Sequence, residues 1–433
     1  MAEQKYTWGE STSLPEIDHH SKVKHQIIRD YIETYVRVLM SNPNMPKLHL
    51  SLIDGFSGGG LYRDGDQVYK GSPYILLESP KIVEADLNEG RVSARQVLTQ
   101  TFLVDIEPEN LTYLQRALTR DGYGARFGQD IHFFRDDFVS VLPQVIQRVK
   151  AFKGGERALF LLDQYNYTAV PMAAIQNIFQ QVEKAEVLLT FNIDSLITYI
   201  SDRKSNRKPI EHIGLDAYIP WEKIPEIKAF NKAEWKSIIQ NYFAEGIRRA
   251  TGARFMTLFF ITPHGSNTWS YWFIHLANTF RANDVMKALH WRHGNLFSHA
   301  LSPTLFLGYD ANCDQQLTGQ DALNLGQEHA FELQTQQRIE GELSEQLPRL
   351  IYDAKDGIRF EHLMANIANF TMADAEITKQ SLDLAIRSAE LEVTDHRDNV
   401  RRTKGSSIKP SDIIRPSRQR PLFLLGPKMS SGN

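Results

Sequence analysis

The chain has almost no cysteine: Cys313 stands alone among 433 residues. That excludes internal disulfides and any zinc or iron–sulfur site built from several thiolates. Its setting, Asn312-Cys313-Asp314, reads as an inert thiol rather than a nucleophile. No apolar run approaches the roughly 20 residues that span a bilayer. The opening Met1-Ala2-Glu3-Gln4-Lys5 lacks the apolar centre of a signal peptide, so the expected location is the cytoplasm. No Gly-x-x-x-x-Gly-Lys-Ser/Thr loop occurs, which removes ATPases that depend on one.

Net charge is also small, at −3, so the chain as a whole does not attract polyanions. The charge is uneven, however. Between Arg397 and Arg420 eight basic residues (Arg397, Arg401, Arg402, Lys404, Lys409, Arg415, Arg418, Arg420) face two acids, a local +6 against −9 elsewhere. A basic segment on an acidic body suits a directed contact with phosphates, and a solvated tail is the competing reading.

What is present is an ordinary globular composition, 42% hydrophobic and 23% charged, at a length that divides into two or three domains. Apolar residues at helical spacing from Val23 to Leu39 predict an amphipathic helix over 17–40. The strand Leu48–Ile53 follows, then Asp54 and the glycine cluster Gly55-Phe56-Ser57-Gly58-Gly59-Gly60. Such a turn lets a backbone approach a ligand closely, and a plain surface turn is the bland alternative. Tyr62 to Asp66 reads as a polar loop, and Ser72-Pro73 as the capped start of a helix. Further strands are written in 100–107, 131–138, 157–163 and 185–192, mostly with helical segments between them. The last two apolar runs, 255–262 and 269–276, are joined by too few residues for a crossover helix and must pair antiparallel. A doubly wound parallel sheet closed by an antiparallel hairpin is the class I methyltransferase arrangement.

The expected division is therefore a Rossmann-like domain over 1–305, an irregular linker over 306–337, and a mainly helical C-terminal domain over 338–433. In that last part, helices followed by a short basic hairpin resemble a winged helix, with Arg401, Arg402, Lys404, Lys409, Arg415 and Arg418 as phosphate contacts. A helical protein-contact or dimerisation domain fits the same pattern.

In open α/β sheets the ligand lies beyond the carboxyl ends of the strands. Those ends carry Asp54 with Gly55 to Gly60, Asp105 with Glu107, Asp136 with Asp137, and Asp163-Gln164-Tyr165-Asn166-Tyr167. In a methyltransferase, Asp54, Gly55, Phe56, Gly58 and Gly60 would enclose the methionine moiety of S-adenosylmethionine. Asp105 or Glu107 would take the ribose hydroxyls, Asp136 the adenine amine, and Phe138 the adenine ring. For any single acid, helix N-capping is the alternative. At the fourth strand, Asp163 and Asn166 would orient a target amine, while Tyr165 or Tyr167 stacks on a flipped base. The two prolines usual after this acid in amino-methylating enzymes are missing, and no cysteine follows for cytosine C5 methylation. The histidines read as surface (His19, His20, His25) or core (His264, His275, His290, His293) rather than as metal ligands.

With these residues in view, residues 15–300 resemble the three-Cys-motif partner family of bacteria. The resemblance lies in Lys24-His25, Ile53 to Gly60 with Tyr62 and Asp64-Gly65, Gly71-Ser72-Pro73, Leu161 to Tyr167, the hairpin, and Val285 to Trp291. It implies a methyltransferase-like protein encoded beside a three-cysteine partner similar to radical S-adenosylmethionine enzymes. A two-component system for nucleic-acid modification or phage defence follows from it. Members usually carry Asp-Pro-Phe-Gly-Tyr where this chain has Asp163-Gln164-Tyr165-Asn166-Tyr167, which marks a divergent member. Two readings stay open: a catalytic methyltransferase, and a non-catalytic scaffold for the partner.

Overall fold

The computed structural model describes residues 6–9, 13–154, 156–200, 204–230, 232–261, 271–293, 298–299, 329–330, 333–354 and 356–417. They form two compact units, one built on the chain up to residue 303 and one from 332 onward. Cys313, Arg418 and most of the expected 306–337 linker lie outside the described residues.

In the first unit, α1 (His19–Leu39) leads into β1 (Lys47–Asp54). The small hairpin β2 (Leu61–Asp64) and β3 (Gln67–Lys70) occupies the stretch expected to be a loop. Then come α2 (Ser72–Asn88), β4 (Gln96–Val104), α3 (Pro108–Arg120), β5 (Ile131–Phe134), α4 (Phe138–Ala151), β6 (Arg157–Leu162), α5 (Met172–Gln181) and β7 (Lys184–Phe191). Four more helices follow, α6 (Ile193–Tyr199), α7 (Lys204–His212), α8 (Ile224–Ile227) and α9 (Lys232–Thr251), before β8 (Phe255–Ile261), β9 (Tyr271–Ala277) and α10 (Phe280–His293). The N-cap of α2 is Gly71, and Ser72 is already helical.

The sheet runs β5-β4-β1-β6-β7-β9-β8, extended past β8 by the short β10 (Ser298–His299) and β11 (His329–Ala330). β1, β4, β5, β6 and β7 are parallel, and β9 is antiparallel to both β7 and β8. Insertion of the last long strand between its two predecessors distinguishes this order from a dinucleotide-binding sheet. The expected class I methyltransferase-like architecture is therefore present, as a doubly wound sheet with a terminal antiparallel hairpin.

Successive residues serve opposite faces, as a pleated strand requires. Phe102 and Val104 join the core against α4, α5 and α9, whereas Leu103 packs with Tyr74, Leu77, Leu111 and Leu114 under α2 and α3. Strands buried on both faces explain their unbroken apolar runs. On the α2 side lies α1, which packs against α2 and α10 through Ile27, Ile28, Tyr31, Ile32, Tyr35 and Val36, all buried.

A buried polar knot fixes α1 to the sheet. The Tyr31 hydroxyl donates to Glu186 of β7, and His275 of β9 lies 3.1 Å from that hydroxyl and 3.2 Å from the same carboxylate oxygen. Burial and the adjacent carboxylate push the Tyr31 hydroxyl well above its ordinary pKa, so it stays protonated and donates.

The second unit runs α11 (Leu333–Asp353), β12 (Ile358–Arg359), α12 (Phe360–Ile367), α13 (Ala375–Arg387), β13 (Leu391–Thr394), β14 (Arg401–Arg402) and β15 (Ile413–Pro416). Its antiparallel sheet has the order β12-β15-β13-β14. One helix, a strand, two helices and then a hairpin make it winged-helix-like, with the wing at the β13–β14 turn. Among the described residues no helix is long and apolar enough to cross a membrane.

Tyr31→Phe is expected to destabilise the first unit by about 2 kcal/mol, because it strips a donor from a buried carboxylate. Urea denaturation of the purified chain measures this, and an unchanged midpoint would refute the knot's role.

Candidate functional site

The strand order reverses between β1 and β6, and in such sheets the crevice outside that reversal receives ligands. Asp54 ends β1, and the Gly55 N–H donates to Leu161 O at 2.9 Å, so Asp54 and Asp163 flank the reversal from neighbouring strands. Asp105 follows β4 on the other side of β1, and Asp136 follows β5 beyond it.

Asp54 is fully buried. Its Oδ1 accepts from the Phe56 N–H at 3.1 Å, and its Oδ2 has no hydrogen-bond partner. Burial pushes its carboxyl up to about 7, with the Ser72 hydroxyl and Phe56 N–H pulling partly the other way. Relative to an ordinary aspartate, the charged form is penalised by about 4 kcal/mol.

Asp105 is buried and heavily used. Its Oδ2 accepts the Gly58 N–H at 2.8 Å, and its Oδ1 accepts the Glu107 N–H at 2.8 Å and Asn110 Nδ2 at 3.1 Å. A carboxylate offers about four lone-pair sites, so one remains for a ligand. Burial still raises its pKa against those bonds. Glu107, two residues on, is exposed, as is Ile106 between them.

Asp136 is exposed and accepts the Asp137 N–H at 2.8 Å, while Asp137 caps α4 through Ser140 N at 3.0 Å. N-capping thus explains Asp137, but not Asp54, Asp105 or Asp163. Phe138 is buried, its ring 6.4 Å from that of Phe160 and against Gly55. It forms part of the core beneath the turn.

Asp163 has a partner from far away in sequence. Lys24 Nζ, on α1, donates to both its oxygens at 2.6 and 2.7 Å. Burial alone would raise the Asp163 carboxyl, but the Lys24 charge and hydrogen bond outweigh it and hold it below the ordinary value. His25 beside Lys24, expected at the surface, is instead fully buried, pushed down to about 4 by desolvation and then by Lys24, and is therefore neutral. Gln164, directly after Asp163, turns inward and accepts the Val170 N–H at 3.0 Å. Asn166 accepts the Thr168 N–H at 3.2 Å, so both amides shape the 164–170 turn. Tyr165 is exposed, and Tyr167 packs 6.0 Å from Phe191.

The glycine cluster carries a second surprise. Gly58 and Gly60 have φ of +56° and +74°, a region glycine enters without strain. Trp8 lies on the turn: a Cβ on Gly59 would sit 2.2 Å from Trp8 Cγ, and one on Gly58 2.8 Å from the far edge of the indole. Trp8 Nε1 donates to Leu61 O at 2.5 Å, and the ring meets Tyr62 at 5.3 Å. Arg63 N–H to Pro15 O and Ile17 N–H to Arg63 O, both 2.9 Å, fasten this N-terminal strap along β2. Part of the need for glycine is thus internal packing.

Trp8, Lys24 as the partner of Asp163, Gln164 as the pin of its turn, and Ser72 beside Asp54 are what sequence reasoning missed at this site. Lys24, Ser72 and Gln164 stood in the stretches that carry the family resemblance, without the contacts they make; Trp8 carried no signal. Among the described residues no group of His, Cys, Asp and Glu could hold a metal ion.

In the second unit the basic residues divide in two. Arg402 forms a pair with buried Asp412 at 2.8 and 3.3 Å, and Arg415 a fork with Asp398 at 2.7 and 3.2 Å. Both are internal clamps of the wing. Arg401, Lys404 and Lys409 are exposed.

Fold and site together define a Rossmann-like domain of the class I methyltransferase type with acids at adjacent strand ends. No protein-family model and no curated protein matches the sequence. Among solved structures the chain is similar to a Klebsiella pneumoniae protein assigned as an O-methyltransferase, at 9% identity and a TM-score of 0.26, over 61% of this chain and 91% of that one. It is similar also to the methyltransferase domain of bacterial CtHen1, at 14% identity and a TM-score of 0.24, over 58% and 99% of the two chains. A third likeness is to a Methanococcus maripaludis protein assigned as S-adenosyl-L-methionine-dependent, at 9% identity and a TM-score of 0.22, over 63% and 98%. The strand order, rather than these likenesses, defines the fold.

Lys24→Met is expected to cost about 3 kcal/mol, because it leaves a largely buried carboxylate unpaired. Asp163→Asn on that background should restore most of it, in urea melts at pH 7. The pair's contribution is present above the ordinary carboxylate pKa and fades as pH falls through the depressed value of Asp163. Gly59→Ala should destabilise the chain, with much less effect when Trp8 is also Ala. Additive effects of the two substitutions would show that the strap does not rest on this turn.

Proposed function

We propose that this chain binds S-adenosylmethionine at the carboxyl edge of β1, β4 and β5 and acts as a methyltransferase-like protein on nucleic acid. The observation that supports this most is Asp54 Oδ2, a buried carboxylate oxygen without a partner beside a glycine turn at the sheet's reversal point. An ammonium group is the natural donor to it, and the methionine moiety of S-adenosylmethionine carries one. The open lone pair of Asp105, together with exposed Glu107, suits the two ribose hydroxyls. Exposed Ile106 offers the adenine an apolar surface that Phe138 in the core does not, and Asp136 can accept the adenine amine. When bound, the cofactor supplies an electrophilic methyl group. In this reading Asp163, held ionised by Lys24, orients the target amine with Asn166, and exposed Tyr165 stacks on the base.

The wider setting in this proposal is a two-component bacterial system with a three-cysteine partner, phage defence being the role the resemblance implies. A second reading, a non-catalytic scaffold for that partner, is favoured by the Lys24–Asp163 pair, which occupies both oxygens of the would-be catalytic acid.

Calorimetry with S-adenosylmethionine tests the cofactor reading. The ammonium prefers ionised Asp54, so affinity should rise with pH through about 7 and protons should be released on binding. Asp54→Asn should remove that dependence. No heat at millimolar ligand with an intact fold sinks the proposal. If the cofactor binds, Asp163→Ala should abolish methyl transfer to DNA or RNA at nearly unchanged cofactor affinity. Cofactor binding without transfer by the parent chain, alone or with its partner, supports the scaffold.

A further inference from the structure

In a winged helix the second helix of the pair ordinarily enters the major groove and the wing supports it. Here the charges are arranged the other way. The second helix, α13, carries two acids and two bases, and they pair with each other: Lys379 with Glu376 at 3.6 Å and Arg387 with Asp383 at 3.4 Å. Asp383 also accepts the Gly405 N–H at 2.8 Å. What α13 adds to its exposed face is Gln380 and the apolar Leu384, 73% exposed. Such a helix offers a phosphate backbone no net attraction.

The wing differs because its acids are used up inside it. Asp412 is buried under Arg402 and also accepts the Lys409 N–H at 2.8 Å, which ties the return loop to β14. Asp398 is gripped by Arg415, and Asp395 accepts the Asn399 and Val400 N–H groups at 2.7 and 3.2 Å. Because Arg402 turns inward, its strand neighbour Arg401 must point outward. Gly405 seats the segment on α13 so closely that a Cβ there would lie 2.0 Å from the Lys379 carbonyl oxygen. The result is a braced hairpin that exposes Arg397, Arg401, Lys404 and Lys409, none of them in an ion pair among the described residues.

We propose that the wing, not α13, is the nucleic-acid contact of the second unit, and that it binds the phosphate backbone of a duplex without reading its sequence. This rests on the nucleic-acid reading above and names the surface and binding mode within it. Four cations predict a specific salt response, since each neutralised phosphate contributes about 0.9 to the slope of log K against log salt.

The test is fluorescence anisotropy of the full-length chain on a labelled 20-base-pair duplex of random sequence, as DNA and as RNA, across a range of KCl. The expected slope is about −3 to −4. Arg401→Ala/Lys404→Ala/Lys409→Ala should reduce it to about −1 and weaken binding at least tenfold at low salt. Gln380→Ala/Leu384→Ala should leave affinity within about twofold, and duplexes of unrelated sequence should compete equally. Matched melting curves show that each variant is folded. Loss of binding in the α13 variant with an unchanged slope in the wing variant overturns the proposal while leaving the nucleic-acid reading intact. So does a tenfold preference for one sequence. No binding to either duplex at low salt refutes the nucleic-acid reading, and this inference with it.

Discussion

A carboxylate removed from water has to be neutralised, hydrogen-bonded or protonated, and this protein places three of them side by side at the tips of adjacent strands. Asp163 is answered by Lys24, Asp105 by two backbone N–H groups and an asparagine, and Asp54 by the Phe56 N–H and a carboxyl pKa pushed up to about 7. Each solution dictates some surrounding structure. Asp105 shapes the glycine turn by holding Gly58, and Asp163 holds the start of α1 over the edge of the sheet. Asp54 keeps one oxygen without a partner at the point where strand order reverses, and that oxygen gives the site its chemical character.

The same demand explains where α1 lies. Lys24 and Tyr31 are seven residues apart, about two helical turns, so they share one face roughly 10 Å apart along the axis. One meets Asp163 beyond the end of β6, and the other meets Glu186 near the start of β7. A helix that satisfies both runs back along the sheet, opposite in direction to the parallel strands. Its apolar face from Ile27 to Val36 then fills the space beside α2 and α10.

In the second unit a count of basic residues overstated the contact surface. Arg402 and Arg415 belong to the same run as Arg401 and Lys404, and composition treats all four alike. Folding separates them, because a strand turns successive residues to opposite sides and the inward ones meet Asp412 or Asp398.

Much of this architecture was legible without coordinates. Apolar runs such as 158–162 and 187–189 announce strands buried on both faces, and the short link between the last two strands forces an antiparallel pair. The acids at the strand tips could be read for the same reason, since they end those runs. The β2–β3 hairpin escaped notice because its strands are four residues each and polar, and its order comes from pairing with the N-terminal strap. Local sequence determined the periodicities, the turns and the order of elements, because these depend on residues a few positions apart. Only tertiary structure decided which acids are free, since their partners come from elsewhere: Lys24 reaches Asp163 across 139 residues and Trp8 covers a turn 50 positions away. Charge and hydrogen-bond pairing act through space, and nothing in the chemistry of a lone aspartate says which cation will find it.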